Sequence, residues 1–456
     1  MRFDINETLL RHIATGGGAA FHLRNQANKE LPEVISDMFN SRSDVRRLDR
    51  AQKAAEYILR INDFGDILKI RKIVATQELR RLIDYDKQTD HTAHTVYLYI
   101  LGIWFFDHIP AIRNAVSTAA FKSSGCKSAK AICDWFLSQW LFASLLHDVG
   151  YAFFDLSHKT AEDRKEIDRL YSWEWLEDLF GSPAASGRSL EDSMLNKLRN
   201  AHDKWKTKYG NLMPPATAKY KKGDQKKVIN RLASASWLGD LNKSWRGKDI
   251  FEVLCFKGKG DLRNYAMEVA TKGYVEGGDA CVDHAVASGL LLFQYTSYWY
   301  WLMRELKSYP EAFKAVTGGH NYDENNIRLF ANACRAVAYH NVQHSVLGAD
   351  KILKRVTLSN EPILFLAILC DELQNWDRYP AGEKHLRGFL EYTSLEGGDI
   401  ELTCSGIETR KANVRVKHRK QRAIVDKMKT TLSERLPAYD KIVSIEEYCG
   451  SGSLSS

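Results

Sequence analysis

Five apolar segments with a helical repeat constrain the fold of this chain more than any other feature. Their apolar residues recur every three or four positions, the spacing that gathers them on one face of an α-helix. The segments lie at about 88–106, 128–147, 282–307, 325–341 and 360–376. At 456 residues, the chain also exceeds the ~250–300 at which one core usually stops growing. We therefore predict a mainly α protein with a helical core and large appendages.

The rest of the chain predicts how these helices are distributed among domains. Residues 1–85 indicate an N-terminal helical segment, and the main helical domain at 86–396 contains a charged insertion at about 155–280. From 397 to 449, alternating residues and a basic helical pattern predict a small basic α+β element, and 450–456 predict a disordered tail. In the insertion and the α+β element, the predicted helices and strands are Trp173–Phe180, Ser189–Tyr209, Asp399–Cys404, Asn413–Lys417 and Gln421–Arg435.

Composition excludes several classes of protein. Hydrophobic residues make up 44% and charged residues 27% of the chain, values typical of a folded domain rather than a disordered one. Thr95–Phe106 is the best apolar run, short of the about 20 residues of a membrane-spanning helix, and Asp4 and Glu7 argue against a signal peptide. The eight cysteines form no CxxC pair, which argues against a zinc–thiolate site. We expect a cytoplasmic protein with no membrane partner.

Positive charge is concentrated in two stretches. Residues 197–231 contain 11 Lys or Arg against two acids, and residues 410–435 contain ten against two, in a chain of net charge +8. Such clusters attract phosphate-bearing partners, so nucleic acid is one candidate partner. A solvated charged face is the other interpretation of both stretches.

A second regularity lies in the metal-competent side chains of the five apolar helices. Each helix carries or ends on a histidine or an aspartate; in chain order these are His94, His147 with Asp148, His284, His340 and Asp371. A buried carboxylate without a partner costs several kcal/mol, so such a residue on an apolar face needs a cation or strong donors. The pair His147-Asp148 is the most informative, because adjacent helical residues point about 100° apart and cannot share one buried stripe.

Each of these positions also has an interpretation without a metal. His147 precedes Gly150 and could simply face the negative end of a helix dipole. His94 and His284 could be core histidines bonded to backbone carbonyls, and Asp371 could cap a turn or pair with an arginine. The order of the whole set, with one position on each apolar helix, favours a shared metal site.

The same pattern resembles the HD-domain superfamily of metal-dependent phosphohydrolases. The resemblance covers about residues 85–155 and 280–380 and is closest to a poorly characterised bacterial branch. Its motifs here are Asp90-His91-x-x-His94-Thr95, His147-Asp148-x-Gly150-Tyr151, Asp283-His284-x-x-x-Ser288, His340-Asn341 and Cys370-Asp371-Glu372-Leu373-Gln374-x-Trp376. The resemblance implies a helical HD core within the mainly α fold.

The resemblance also implies a ligand set and cofactors. His94, His147, Asp148 and Asp371 would hold one divalent ion, and His284 and His340 would hold a second, with Asp148 bridging the two. Nitrogen and oxygen ligands without thiolates suit Mn, Fe, Zn or Mg, and the sequence does not choose among them. Two such ions lower the pKa of a bridging water to give hydroxide and stabilise charge on a phosphoryl group.

The implied activity is hydrolysis of a phosphate ester in a nucleotide, cyclic nucleotide or oligonucleotide. Asp148 and His147 are the predicted catalytic residues, and Asp148 would orient the nucleophile. Two other functions stay open: a di-iron oxygenase, since enzymes related to myo-inositol oxygenase share this superfamily and ligand plan, and a nucleotide-sensing module without turnover. Oligomeric state is not predicted.

Supporting residues are assigned with alternatives. His91 is expected to position substrate or to replace His94 as ligand, and His344, on the same helical face as His340, is the alternative to that residue. Further candidates for contact with substrate phosphate are Lys159 and Arg164, with solvated side chains as the alternative, and Gln374 as a donor one turn after Asp371. His320 is expected to be a loop residue.

Overall fold

The fold is mainly α-helical, as the sequence predicts. A computed structural model describes residues 5–26, 30–41, 44–61, 68, 71–76, 93–154, 167, 169–180, 190–210, 223–256, 262–274, 280–317, 324–342, 356–373, 400–404, 411–417, 422–436 and 438–448. In the N-terminal half the α-helices are α1 (Ile5–Thr15), α2 (Gly18–Gln26), α3 (Leu31–Phe39), α4 (Asp44–Ile61), α5 (Ala93–His108), α6 (Pro110–Ser124), α7 (Ala129–Leu145), α8 (Tyr151–Phe154), α9 (Trp173–Phe180) and α10 (Asp192–Tyr209).

The C-terminal half adds further helices and three short strands. The helices are α11 (Gln225–Ala233), α12 (Leu238–Leu241), α13 (Ile250–Leu254), α14 (Leu262–Lys272), α15 (His284–Leu306), α16 (Pro310–Thr317), α17 (Glu324–Tyr339), α18 (Pro362–Leu373) and α19 (Arg422–Arg435), with 3₁₀ turns at Lys243–Trp245 and Tyr439–Lys441. The strands are β1 (Ile400–Cys404), β2 (Ala412–Lys417) and β3 (Val443–Tyr448).

The five apolar segments are the helices α5, α7, α15, α17 and α18. Four of them, α5, α7, α15 and α18, are buried along most of their length and show almost no polar face, which is the pattern of helices at the centre of a large core. α7 ends at Leu145, two residues before the predicted end, so His147 lies just beyond the helix.

The chain divides into two compact units, each assembled from separate stretches. Unit 1 contains Met1–Ile58, Glu78–Leu145 and Arg355–Ser456; unit 2 contains Leu59–Gln77 and Leu146–Lys354. The sequence did not predict this division, because hydrophobic periodicity identifies helices but not which distant helices pack together.

In unit 1, α5 is the central helix and packs against α2, α6, α7 and α18. Gly102 permits a close approach of α7, since a Cβ there would overlap the ring of Trp140. The Trp140 Nε1–H donates to the Tyr99 carbonyl oxygen at 2.8 Å, which satisfies the one polar atom of this buried indole.

Unit 1 also contains the α+β element predicted for the C-terminal region. β1 pairs antiparallel with β2, from Ile400↔Val416 to Cys404↔Ala412, and β2 pairs parallel with β3, from Ala412↔Val443 to Lys417↔Tyr448. A parallel pair requires a crossover, and α19 supplies it between β2 and β3. The first two strands and α19 were predicted, and β3 was not.

In unit 2, the 23-residue helix α15 is the central element. It packs against α17, α10, α11 and α8. Gly289 brings α15 and α17 together, since a Cβ there would lie 2.5 Å from the Ala338 Cβ and 2.7 Å from the Cys334 carbonyl oxygen. The close packing of these two helices matters for the site, because α15 begins with His284 and His340 directly follows α17.

Among the described residues, no single helix is long and apolar enough to cross a membrane. One bent pair, α5 with α6 at 96°, passes that test by length and composition.

Candidate metal centre

The centre of the candidate site is the turn that carries His147 and Asp148. After α7 ends, hydrogen bonds from an N–H to the carbonyl three residues earlier lead the chain into α8, among them Val149 N to Leu146 O at 3.3 Å and Tyr151 N to Asp148 O at 3.0 Å. His147 is 1% and Asp148 5% exposed, so both polar side chains are withdrawn from water. Burial of this pair without strong partners would be costly.

The first turn of α15 lies against this segment and carries His284. The Gly150 N–H donates to the Ser288 hydroxyl at 2.7 Å, and that hydroxyl donates to the His284 carbonyl oxygen at 2.8 Å. A Cβ at Gly150 would overlap the same carbonyl oxygen, so only glycine permits this approach. Tyr151 stacks on the His284 ring, with centroids 4.2 Å apart and planes at 13°.

Asp283 fixes the start of α15. Its Oδ1 accepts a hydrogen bond from the Val286 N–H at 2.8 Å, and its Oδ2 accepts one from the Tyr265 hydroxyl at 2.9 Å. This is an N-cap, which satisfies an amide that the helix leaves without a partner. The pKa of this fully buried carboxyl is raised by desolvation, while its hydrogen bonds partly oppose the rise.

The third histidine, His340, directly follows α17. Its Nδ1 lies 2.7 Å from the Val337 carbonyl oxygen, so Nδ1 carries the proton and donates it there. The Nε2 atom, on the opposite side of the ring, lies 3.7 Å from the Asp148 Oδ1. A histidine that donates one ring N–H to a backbone carbonyl and presents the other nitrogen is the usual arrangement of a metal ligand.

The three imidazoles surround one oxygen atom of Asp148. The Asp148 Oδ1 lies 3.4 Å from the Nε2 of His147, 3.4 Å from the Nε2 of His284 and 3.7 Å from the Nε2 of His340. The rings of His147 and His340 meet edge to face, with centroids 4.7 Å apart. All four residues belong to unit 2.

These distances fit ligands of a metal ion better than direct hydrogen bonds. N–H···O bonds measure about 2.7–3.2 Å, whereas two atoms bound to one ion at about 2.1 Å with a tetrahedral angle lie about 3.4 Å apart. Ligand atoms of His147, Asp148 and His340 lie within 4.8 Å of one another. The donor set is imidazole and carboxylate, which suits a divalent ion such as Mn, Fe or Zn.

The other two predicted ligands, His94 and Asp371, belong to unit 1. His94 is the second residue of α5 and is fully buried, and Asp371 lies near the end of α18. A ligand atom of each lies within 4.8 Å of one on the other. The structure thus brings the six predicted ligands together as a pair in unit 1 and a quartet in unit 2. Their division between two ions stays a prediction from the resemblance.

Several candidate residues lie outside the described part of the chain. These are the proposed substrate contacts His91, Lys159, Arg164 and Gln374, together with His344 and His320. Their roles stay predictions from the sequence.

Three supporting contacts were not predicted from the sequence. They are the Ser288 bridge between Gly150 and His284, the stacking of Tyr151 on His284, and the bond from His340 to Val337. Ser288 had a detectable signal, since it follows His284 by four residues and so shares its helical face. The other two depend on ring orientation, for which the sequence carries no signal.

Part of the first basic stretch is described, in α10 and α11. Several of its cations have nearby partners: Lys208 contacts Asp240 at 2.7 Å, Lys227 contacts Asp224 at 2.7 Å, and Lys197 lies over the Tyr309 ring. The two aspartates neutralise part of the positive charge of this stretch, and the Tyr309 ring covers one further cation.

The cluster of three histidines around one aspartate defines a class of site, a buried imidazole–carboxylate cluster in a mainly helical protein, whose ligand atoms could hold a metal ion. No family model, curated protein or solved structure matches this chain significantly.

Proposed function

We propose that this protein is a metal-dependent phosphohydrolase that cleaves a phosphate ester in a nucleotide, cyclic nucleotide or oligonucleotide. The observation that carries the proposal is the position of the Asp148 Oδ1, which lies 3.4–3.7 Å from three buried imidazole Nε2 atoms. Support also comes from the resemblance of the ligand motifs to HD-domain phosphohydrolases. A divalent ion held there would lower the pKa of a water molecule and stabilise charge on a phosphoryl group.

The residues of the chain have separate tasks in this proposal. Asp148 supplies the carboxylate that all three histidines face. This carboxylate would accept a hydrogen bond from the attacking water and so orient it. His340 is held in one tautomer by Val337, and His284 is held in position by Ser288 and Tyr151. The buried setting keeps bulk water away, so each electrostatic interaction with substrate is strengthened.

The test combines metal analysis with a panel of phosphate esters. Purified protein is loaded anaerobically with Mn²⁺ or Fe²⁺ and assayed on p-nitrophenyl phosphate, bis(p-nitrophenyl) phosphate, cyclic nucleotides and short oligonucleotides. We expect metal-dependent hydrolysis of at least one ester. Asp148→Asn should lower both bound metal and turnover at least about a hundredfold, since even outer-shell changes cost ~10–100-fold.

A matched control is Asp134→Asn, which changes an exposed aspartate on α7 and should leave metal content and turnover unaltered. Consumption of O₂ that requires reduced iron, without ester hydrolysis, would instead indicate the oxygenase. Nucleotide binding without turnover in the metal-loaded protein would indicate the sensing module. Either result contradicts the proposal.

A further inference from the structure

The C-terminal basic stretch contains one arginine that is buried rather than solvated. Arg435 is the last residue of α19 and is 7% exposed. The buried residues of this helix, Val425, Met428 and Leu432, recur every three or four positions, and Arg435 continues the same stripe. A guanidinium on the apolar face of a helix needs a specific partner, because its desolvation is costly.

Its partner is Glu372, the residue that follows Asp371 on α18. The Arg435 Nη1 donates to the Glu372 Oε1 at 2.5 Å, and the two side chains are 8% and 16% exposed. For the remaining guanidinium nitrogens, Nε and Nη2, the described part of the chain provides no acceptor. The ion pair with Glu372 therefore offsets the desolvation of this buried guanidinium, and each side chain limits the movement of the other.

The pair acts at the end of the helix that carries a predicted metal ligand. α18 and α19 pack against each other within unit 1. Asp371 and Glu372 are adjacent, so their side chains leave the helix about 100° apart. A rotation or shift of the helix end that released Glu372 would therefore move the Asp371 carboxylate as well.

We propose that Arg435 is a positioning residue for Asp371, and that the C-terminal α+β element is a working part of the metal site. Arg435 holds Glu372, which fixes the direction in which the neighbouring Asp371 leaves α18. This inference rests on the proposed function, because Asp371 is assigned to the metal by the same resemblance to HD-domain phosphohydrolases that supports that function. It also removes Arg435 from the cations of the basic stretch that are available to nucleic acid.

The test compares metal affinity with stability in the full-length chain. Mn²⁺ binding is measured by calorimetry or electron paramagnetic resonance, and thermal unfolding is followed in parallel. We expect Arg435→Gln and Glu372→Gln each to weaken Mn²⁺ binding about tenfold or more, the effect of outer-shell partners. Arg435→Lys keeps a cation for Glu372 and should restore affinity to within a few fold. The matched control Lys429→Gln, on the same helix, should bind Mn²⁺ as the unmodified protein does.

A double variant keeps the test decisive if one substitution leaves a buried charge that prevents folding. Glu372→Gln with Arg435→Gln removes both charges, so this variant should fold. Because Asp371 is less restrained in it, its affinity for Mn²⁺ should stay below that of the unmodified protein. Full Mn²⁺ affinity in the double variant, or loss of melting temperature alone in the single variants, would overturn the inference.

The proposed function fails separately from the inference. Mn²⁺ binding that depends on Arg435, without hydrolysis of any ester, would contradict the hydrolase and leave the positioning role intact. Hydrolysis that is unaffected by Arg435→Gln would contradict the positioning role and leave the proposed hydrolase intact.

Discussion

At the scale of single residues, Gly150 determines how closely the His147–Asp148 turn approaches α15. We predict that Gly150→Ala weakens Mn²⁺ binding about tenfold or more and lowers the melting temperature, because the added methyl would overlap the His284 carbonyl oxygen and separate His284 from Asp148. Calorimetry and thermal melts check this.

The control for that substitution is Gly210→Ala, also in unit 2. A methyl group there meets only the flexible side chain of Lys206, at 3.2 Å. It should leave Mn²⁺ binding unchanged. Equal affinity in Gly150→Ala and the unmodified protein would show that the turn is free to move.

Individual site residues could be predicted from the sequence because buried polar groups stand out in apolar helices. His147, Asp148, His284 and His340 were named from that signal, and the structure brings all four together in unit 2. The Arg435–Glu372 pair could not be named. Both residues are common on helix surfaces, and burial decides their role only after α18 and α19 have packed.

At the scale of elements, the contact between α15 and α17 sets the distance between His284 and His340. We predict that Gly289→Ala costs about 1–3 kcal/mol of stability, the usual cost of overpacking a core, and weakens Mn²⁺ binding. The added Cβ would lie 2.5 Å from the Ala338 Cβ. Denaturant unfolding and calorimetry measure both effects.

A second substitution tests the cause. Gly289→Ala with Ala338→Gly removes the methyl that faces the new one, so it should recover part of the lost stability and affinity. Recovery should be incomplete, because the Cys334 carbonyl oxygen, 2.7 Å from the added Cβ, stays in place. If neither stability nor affinity recovers, the overlap with the Ala338 Cβ is not the cause of the loss.

A histidine cluster joins α1, α2 and α5 in unit 1. The His12 Nε2 lies 3.0 Å from the Asp107 Oδ2, and the His108 Nε2 lies 3.2 Å from the His12 Nδ1. Asp107 also accepts the Ala19 and Ala20 amides at the start of α2, at 2.7 and 3.0 Å. Desolvation by burial, with unfavourable electrostatic interactions with His12 and Arg113, lowers the pKa of His108 to about 4, although Asp107 opposes the shift.

The lowered pKa predicts how this cluster responds to acid. In the unfolded chain His108 takes up a proton near its ordinary pKa of 6.5, whereas in the folded chain it takes up the proton only near pH 4. The free energy of unfolding is therefore unaffected by His108 above about 6.5 and falls as the pH drops toward 4. In thermal melts from pH 7.5 to 4, the melting temperature should fall less steeply in His108→Gln than in the unmodified protein or in the control His22→Gln. Parallel curves would contradict the prediction.

Helix positions could be predicted from the sequence more fully than helix partners. Periodicity located α9 at Trp173–Phe180 and placed α19 within a residue of its observed start. It did not identify β3, because Val443–Tyr448 is a short strand whose pairing with β2 depends on a crossover. Local pattern determines an element, whereas long-range packing determines its neighbours.

At the scale of the whole molecule, unit 1 requires residues from both ends of the chain. The C-terminal element buries Val414, Val425, Leu432 and Val443, and α19 packs on α18. We predict that deletion of residues 397–456 leaves a protein that is insoluble or readily digested by protease, because apolar surface on α18 is exposed. Limited proteolysis and size-exclusion chromatography measure this.

A shorter deletion provides the comparison. Removal of residues 450–456 alone, the predicted tail, should leave the melting temperature and protease resistance unchanged. A stable, metal-binding protein after removal of 397–456 would show that the C-terminal element is a separable domain.

The interrupted course of unit 1 has a consequence for biosynthesis. Unit 2 ends at Lys354, so its whole sequence is available while residues 355–456 have still to be translated. The N-terminal helices of unit 1 must wait for α18 and α19 before their own core can close, and in that interval apolar surface is exposed. Nascent chains should therefore engage chaperones mainly through the first 145 residues, and release from them should follow the synthesis of α19.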